Sequence, residues 1–219
     1  PHLALSLKGD NLLIRQAPMI TAIVQPDLNL DVYPFKQQLS LRGTIDVPRA
    51  RISMPETTAP VVNISPDVRV VQQGQDLLST LKAAKPWDIR ADMTLTLGNQ
   101  VIFQGFESNI PLVGRLHLSQ RGLETAMRAN GAIGVSQKVK IEAYGQSLDL
   151  NRAIARFNGP LANPTLDIDA NKSVQGSMVG LRVTGTATVP NVQIYNNAGL
   201  SEQEALNALV TGRINEGSS

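Results

Sequence analysis

The stretch Asp88-Ile89-Arg90-Ala91-Asp92-Met93-Thr94-Leu95-Thr96-Leu97 decides the fold. Ile89, Ala91, Met93, Leu95 and Leu97 take every second position, and charged residues or threonines fill the intervals. Side chains of an extended strand point alternately to opposite faces, so a period of two builds one dry face and one wet face. A wet face is the habit of antiparallel sheet. Parallel strands covered by helices read instead as unbroken Val/Ile/Leu runs.

The same period recurs in both directions. It runs through Leu3, Leu5 and Leu7, through Leu28, Leu30 and Val32, and along Leu39, Leu41, Ile45, Val47, Ala50 and Ile52, a face carried past Gly43 and Pro48. After the central stretch come Leu112, Leu116 and Leu118, then Val139, Ile141 and Ala143, Leu148 and Leu150, Leu166, Ile168 and Ala170, Val179, Leu181 and Val183, and finally Val192 and Ile194. Gly9-Asp10, Gln25-Pro26, Tyr33-Pro34, Gly98-Asn99, Gly145-Gln146, Gly159-Pro160 and Asn163-Pro164 read as turns between strands. Gly43, Gly114, Gly131 and Gly185 recur in similar surroundings at multiples of about 18 residues, the length of a hairpin, which suits an elongated meander. The chain reads as all-β and largely antiparallel, with no helices of the kind a doubly wound fold needs.

One segment reads as a helix. Ser201 stands as N-cap with Glu204 three residues on, Leu206, Leu209 and Val210 make an apolar stripe, and Gly212 ends it, with Arg213 at the dipole end. Asp76–Ala84 carries a helix-like stripe in Leu77, Leu78 and Leu81 that a long loop would also accommodate. Residues from about 55 to 86 are weakest in strand signal and read as a variable loop region within a single elongated domain over 1–219.

Composition narrows the chemistry. The 219 residues are 42% hydrophobic but only 4% aromatic, so aliphatic side chains do the burying. Lys+Arg 20 against Asp+Glu 18 leaves no clustered basic footprint for nucleic acid. The absence of cysteine removes disulfides, thiol nucleophiles and thiolate metal sites. His2 and His117 are the only histidines, and neither stands in a metal-binding spacing. Asp27, Asn29 and Asp31 begin like a calcium loop, but Val32 and Gln38 hold the places where such a loop needs Gly and Glu. Asp167 and Asp169 read as the wet face of a strand, and with one Trp and three Tyr there are few sugar platforms for glycoside hydrolysis. We expect no enzyme, metal or cofactor. Val183 to Leu200 is charge-free but broken by Thr, Pro and Asn, so it is no transmembrane helix. Both ends read as cut from a longer protein.

The surplus of aliphatic faces admits two readings. Two faces closing on each other make a sandwich core. An open, curved sheet turns the same faces into a groove lined like a hydrocarbon chain.

Several segments carry a resemblance. They are Leu41-Arg42-Gly43-Thr44-Ile45-Asp46-Val47-Pro48-Arg49-Ala50-Arg51-Ile52, Gly114-Arg115-Leu116 with Leu118, and Glu142-Ala143-Tyr144-Gly145-Gln146-Ser147-Leu148. Phe157-Asn158-Gly159-Pro160 with Asn163-Pro164, Val179 to Gly185, and Ser201-Glu202-Gln203-Glu204-Ala205-Leu206 running to Arg213 follow in order. The ordered set resembles the C-terminal region of the TamB family, inner-membrane-anchored components of the translocation and assembly module of diderm bacteria. Ala153 stands where that family usually has Gly, and Arg156 where an apolar residue is common; Pro55–Lys85 matches poorly. The resemblance implies a taco-shaped sheet, or half-pipe, with a greasy concave interior, in a protein that spans the periplasm from an inner-membrane anchor. It implies phospholipid acyl chains as ligands and a TamA-like outer-membrane barrel as partner, contacted through a part beyond Ser219. The implied role is phospholipid transfer between the membranes or assembly of outer-membrane β-barrel clients and autotransporters. The residues expected to line the groove are Leu28, Leu30, Val32, Leu39, Leu41, Ile45, Val47, Ile52, Ile89, Met93, Leu95, Leu97, Leu112, Leu116, Leu118, Ile141, Leu148, Leu150, Leu166, Ile168, Leu181 and Val183.

Overall fold

A computed structural model describes residues 2–16, 19–53, 87–105, 107–122, 126–143 and 145–214. The strands are β1 (Leu3–Lys8), β2 (Leu12–Gln16), β3 (Ile20–Tyr33), β4 (Gln38–Ser53), β5 (Asp88–Gly105) and β6 (Ser108–Gln120). Then follow β7 (Arg128–Val135), β8 (Val139–Ala143), β9 (Gln146–Pro160), β10 (Thr165–Val174), β11 (Ser177–Gly185) and β12 (Pro190–Asn196). A 3-10 turn at Pro34–Lys36 joins β3 to β4, and helix α1 (Glu202–Thr211) follows β12. All twelve strands belong to one open, curved sheet, ordered β1-β3-β4-β5-β6-β7-β9-β10-β11-β12, with β2 also on β3 and β8 also on β9.

Two pairs of short strands are each one broken line. β1 pairs with Asp27–Val32 of β3 and β2 with Ile20–Val24, so the two run end to end along one edge. β7 and β8 likewise lie end to end along β9. Beside this second break β6 and β8 are not paired as strands, and the Glu142 N–H donates to Ser108 Oγ at 3.0 Å.

The sheet is antiparallel at every seam but one. β4 and β5 run parallel, from Gln38↔Asp88 to Ser53↔Gln104. Parallel neighbours need a long crossover, and the chain between Ser53 and Asp88 makes this one. The helix weighed for Asp76–Ala84 lies outside the described residues.

Two expected turns are corrected. Gln25-Pro26 lies inside β3 and Gly98-Asn99 inside β5. Pro26 has no N–H to give, but it sits where the edge line breaks between β1 and β2, and its carbonyl accepts from Gly9 N–H at 3.0 Å. At Gly98 the registers of β5 with both neighbours slip. A Cβ there would lie 2.8 Å from Pro48 Cα, so the Gly lets the Pro48 bulge of β4 close on β5.

α1 forms where expected. Ser201 is the N-cap, its hydroxyl accepts from Glu204 N–H, Glu204 accepts in return from Ser201 N–H, and Gly212 closes the helix in the left-handed region at φ 71°. The buried stripe, however, is Ala205, Ala208 and Leu209, whereas Leu206 and Val210 face solvent. The small alanines let the helix axis settle close to the sheet, and that rotation turns Leu206 and Val210 outward.

Candidate functional site

Residues paired across a sheet point to the same side, so the register gives the composition of each face. One row runs Leu28, Gly43, Met93, Leu118, Ala129, Gly159. The next runs Pro26, Ile45, Leu95, Leu116, Gly131, Phe157. A third runs Val47, Leu97, Gly114, Ile133, Ala155, Leu166. On the C-terminal strands the rows continue as Ala153, Ile168, Val183, Val192 and as Leu150, Ala170, Leu181, Ile194. This dry face crosses the sheet from β3 to β12. By register, all the residues expected to line a groove lie on it.

Those residues differ in access. Val47, Met93, Leu116, Leu118, Ile141, Leu148 and Leu150 are buried, and Leu116 is only 2% exposed. Ile89 is exposed, and the others are half-buried. Three apolar clusters divide the face. One centres on Val101 between Ala22, Val24, Val47 and Ala50, and another on Leu116 with Met93 and Leu118. The third joins Ile110, Ile141, Leu148, Leu150, Ala170 and Val179 to Ala205, Ala208 and Leu209 of α1. Ile45 and Leu95 belong to the edges of the first two clusters, and Leu112 to the edges of the first and third, so the apolar contacts are continuous. α1 covers the face at the C-terminal strands. There Ile141, Leu148 and Leu150 form core beneath a helix rather than open lining.

Sequence reading passed over Val101, Phe103, Ile133 and Phe157, which also stand on this face. Val101 and Phe103 follow the Gly98 irregularity, and the β7 and β9 rows are diluted by Gly131, Ala153 and Ala155, so neither shows a clean alternation.

Bending such long strands demands glycine at particular points. Gly43 has φ 142° and Gly131 φ 132°, conformations L side chains rarely adopt. A Cβ on Gly43 would run into the Asp27 carbonyl, and one on Gly131 into the Arg115 carbonyl. Of the glycines that recur through the sequence, Gly114 also sits mid-strand at a close backbone approach, where a Cβ would meet the Ala132 carbonyl, whereas Gly185 ends β11.

The opposite face is polar and ion-paired. Arg152 and Arg156 both donate to Asp167, at 2.9 and 3.4 Å. Those donors, Arg152 foremost, hold the Asp167 carboxyl below its ordinary range. Asp169 accepts from Tyr195 Oη at 3.2 Å and from Asn151 at 3.2 Å, and lies 3.6 Å from Arg182. Burial, more than the neighbouring carboxylate, pushes the Tyr195 hydroxyl up. The arrangement is a cross-strand lattice that rigidifies the back of the sheet. Among the described residues no three His, Asp or Glu converge as a metal site would require, and no helix is long and apolar enough to cross a membrane.

Comparison with known sequences closes the question of kinship. The description of the TamB C-terminal domain matches residues 1–219. The chain belongs to the TamB family. Translocation and assembly module subunit TamB of Haemophilus influenzae is 29% identical over 230 residues, which covers 98% of this chain and 17% of that protein. The segments that carry the TamB likeness occupy defined places here. Leu41–Ile52 fills most of β4 with its Gly43 bend and Pro48 bulge, Val179–Gly185 is most of β11, and Ser201–Arg213 is α1 with both caps. The two departures from the TamB pattern are also placed. A bulge in β9 opposite Asp169 and Ala170 shifts the phase, putting Ala153 on the dry face against Ile168 and Arg156 on the polar face at Asp167.

Proposed function

We propose that this chain is a section of a hydrophobic half-pipe that shields lipid acyl chains, supporting phospholipid transfer between the inner and outer membranes. In this reading it is a non-enzymatic part of outer-membrane biogenesis. It works in the periplasm as a segment of an inner-membrane-anchored protein, with a TamA-like outer-membrane barrel as partner. The observation that carries the reading is the apolar face that crosses the sheet from β3 to β12, half-buried at Leu41, Leu95 and Leu181 and lined mainly by aliphatic rather than directional groups. Each buried methylene is worth about 0.8 kcal/mol wherever it sits along such a lining, so a chain is held firmly and still slides.

The test is mass spectrometry of organic extracts from gently purified protein, comparing the natural chain with Leu95→Glu. Leu95 is half-buried and central, so a carboxylate there obstructs the lining at less cost to folding than one at Leu116. Phospholipid in the natural chain and its loss from a variant with unchanged circular dichroism supports the reading. No phospholipid in either folded protein removes it.

A second reading is chaperoning of outer-membrane β-barrel clients by strand addition. One feature favours it: the β1–β2 edge has no neighbour among the described strands, and Leu3, Leu5 and Leu7 on it are each about half exposed. Crosslinks from that edge to a client strand, rather than to lipid, would decide for it.

A further inference from the structure

The strand ends define two lips of the sheet. α1 packs near one. The other holds the 3-10 turn after β3, the start of β5 and the end of β6. The chain's aromatic residues are few, yet three gather at this second lip: Tyr33, Phe35 and Trp87. Phe35 is 81% exposed and Trp87 42%. The Asp88 N–H donates to the Gln37 carbonyl at 2.8 Å, tying the Trp87 segment to the turn that bears Phe35. Beside them lies a cleft of about 910 Å³ whose lining includes four cations, Lys36, Arg42, Arg90 and Arg121, and one carboxylate, Asp92. The acidic groups facing these cations are Asp31, 3.8 Å from Arg42, Asp88, 3.1 Å from Arg90, and Asp92, 3.7 Å from His117. Lys36 lies 5.8 Å over the Tyr33 ring, and among the described residues neither Lys36 nor Arg121 has a carboxylate partner. An exposed Phe and Trp beside Lys36 and Arg121, cations without a carboxylate partner among the described residues, match the water–lipid interface in both polarity and charge, the rings entering the headgroup layer and the cations meeting phosphates.

We propose that this lip docks on the surface of an anionic phospholipid bilayer. The inference is independent of acyl-chain binding, because extraction reads the dry face whereas docking reads the lip. Trp87 is the only tryptophan, so its emission reports on this site alone. The experiment adds vesicles of phosphatidylcholine, with or without about a quarter phosphatidylglycerol, to the chain and measures Trp87 emission and co-flotation. The expected result is a blue shift and flotation with the anionic vesicles, at least about fivefold stronger than with neutral ones. Lys36→Glu and Arg121→Glu should each weaken flotation at least about fivefold, and Phe35→Ser about tenfold. These side chains sit at the surface, so circular dichroism should stay unchanged. Equal binding to both vesicle types, flotation without a Trp87 shift, variants that bind undiminished, or a short RNA bound as tightly as the vesicles would each overturn the proposal.

Discussion

Gly43 shows how much a single hydrogen can decide. With the Asp27 carbonyl crowding its Cα and φ at 142°, Gly43→Ala demands both a strained backbone and a retreat of β3. The expected cost is about 1–3 kcal/mol, read as a lower urea midpoint at unchanged slope. Glu204 makes a prediction in pH. Its carboxylate accepts from the Ser201 hydroxyl and backbone N–H, at 2.7 and 2.8 Å, and these bonds hold its pKa below the ordinary range. A depressed folded pKa means stability that is complete above the unfolded value and lost as pH falls through the folded one. Amide protection in the first turn of α1 should therefore fall on acidification below the ordinary carboxylate range, and Glu204→Gln should flatten that dependence. The cap was legible in the sequence because a capping box is a local device, made wholly by residues three apart.

The face that α1 buries was not legible, because it is settled by what lies beneath. Leu209 belongs to the same buried cluster as Ile141, Leu148 and Val179. Leu209→Ala should cost about 2–5 kcal/mol, whereas Leu206→Ala, on the exposed side, should change the melting temperature little. The strands were legible wherever they alternate cleanly. Ile89 to Leu97 and Leu28 to Val32 betray their faces because a period of two has no other interpretation. It reports that one face is wet, the habit of antiparallel sheet as a whole, but not the direction of the partner at each seam, so the parallel β4–β5 seam left no mark. It also fails across bulges, which is why Pro26 and Gly98 mimicked turns while lying within long strands.

At the scale of the molecule, a sheet this wide with one dry face has to cover it, curl round it or fill it. Here α1 covers one region, curvature draws Val101 and Leu116 inward, and a band that includes Leu41, Leu95 and Leu181 stays half-open. The dry face could be read from residue order, since the register places every expected lining residue on it. Its division into closed and accessible stretches could not, because that follows from the bends at Gly43 and Gly131 and the docking of α1.

The parallel seam also sets an order of events. From β5 to β12 each strand finds its neighbour a short step along the chain, and the same holds from β1 to β4. Joining β4 to β5 instead brings together partners such as Gln38 and Asp88, 50 positions apart in the sequence (88 − 38), at an entropic cost of about 3 kcal/mol before any ladder bond forms. Contacts distant in sequence form slowly, so the two portions should zip separately and meet last. Pulse-labelled hydrogen exchange during refolding should find amides of β9–β11 protected before those shared by β4 and β5. Until then β4 is a bare edge, and a newly emerged chain is most open to aggregation, or to a helper that occupies that edge, in the interval before Asp88 and its successors arrive.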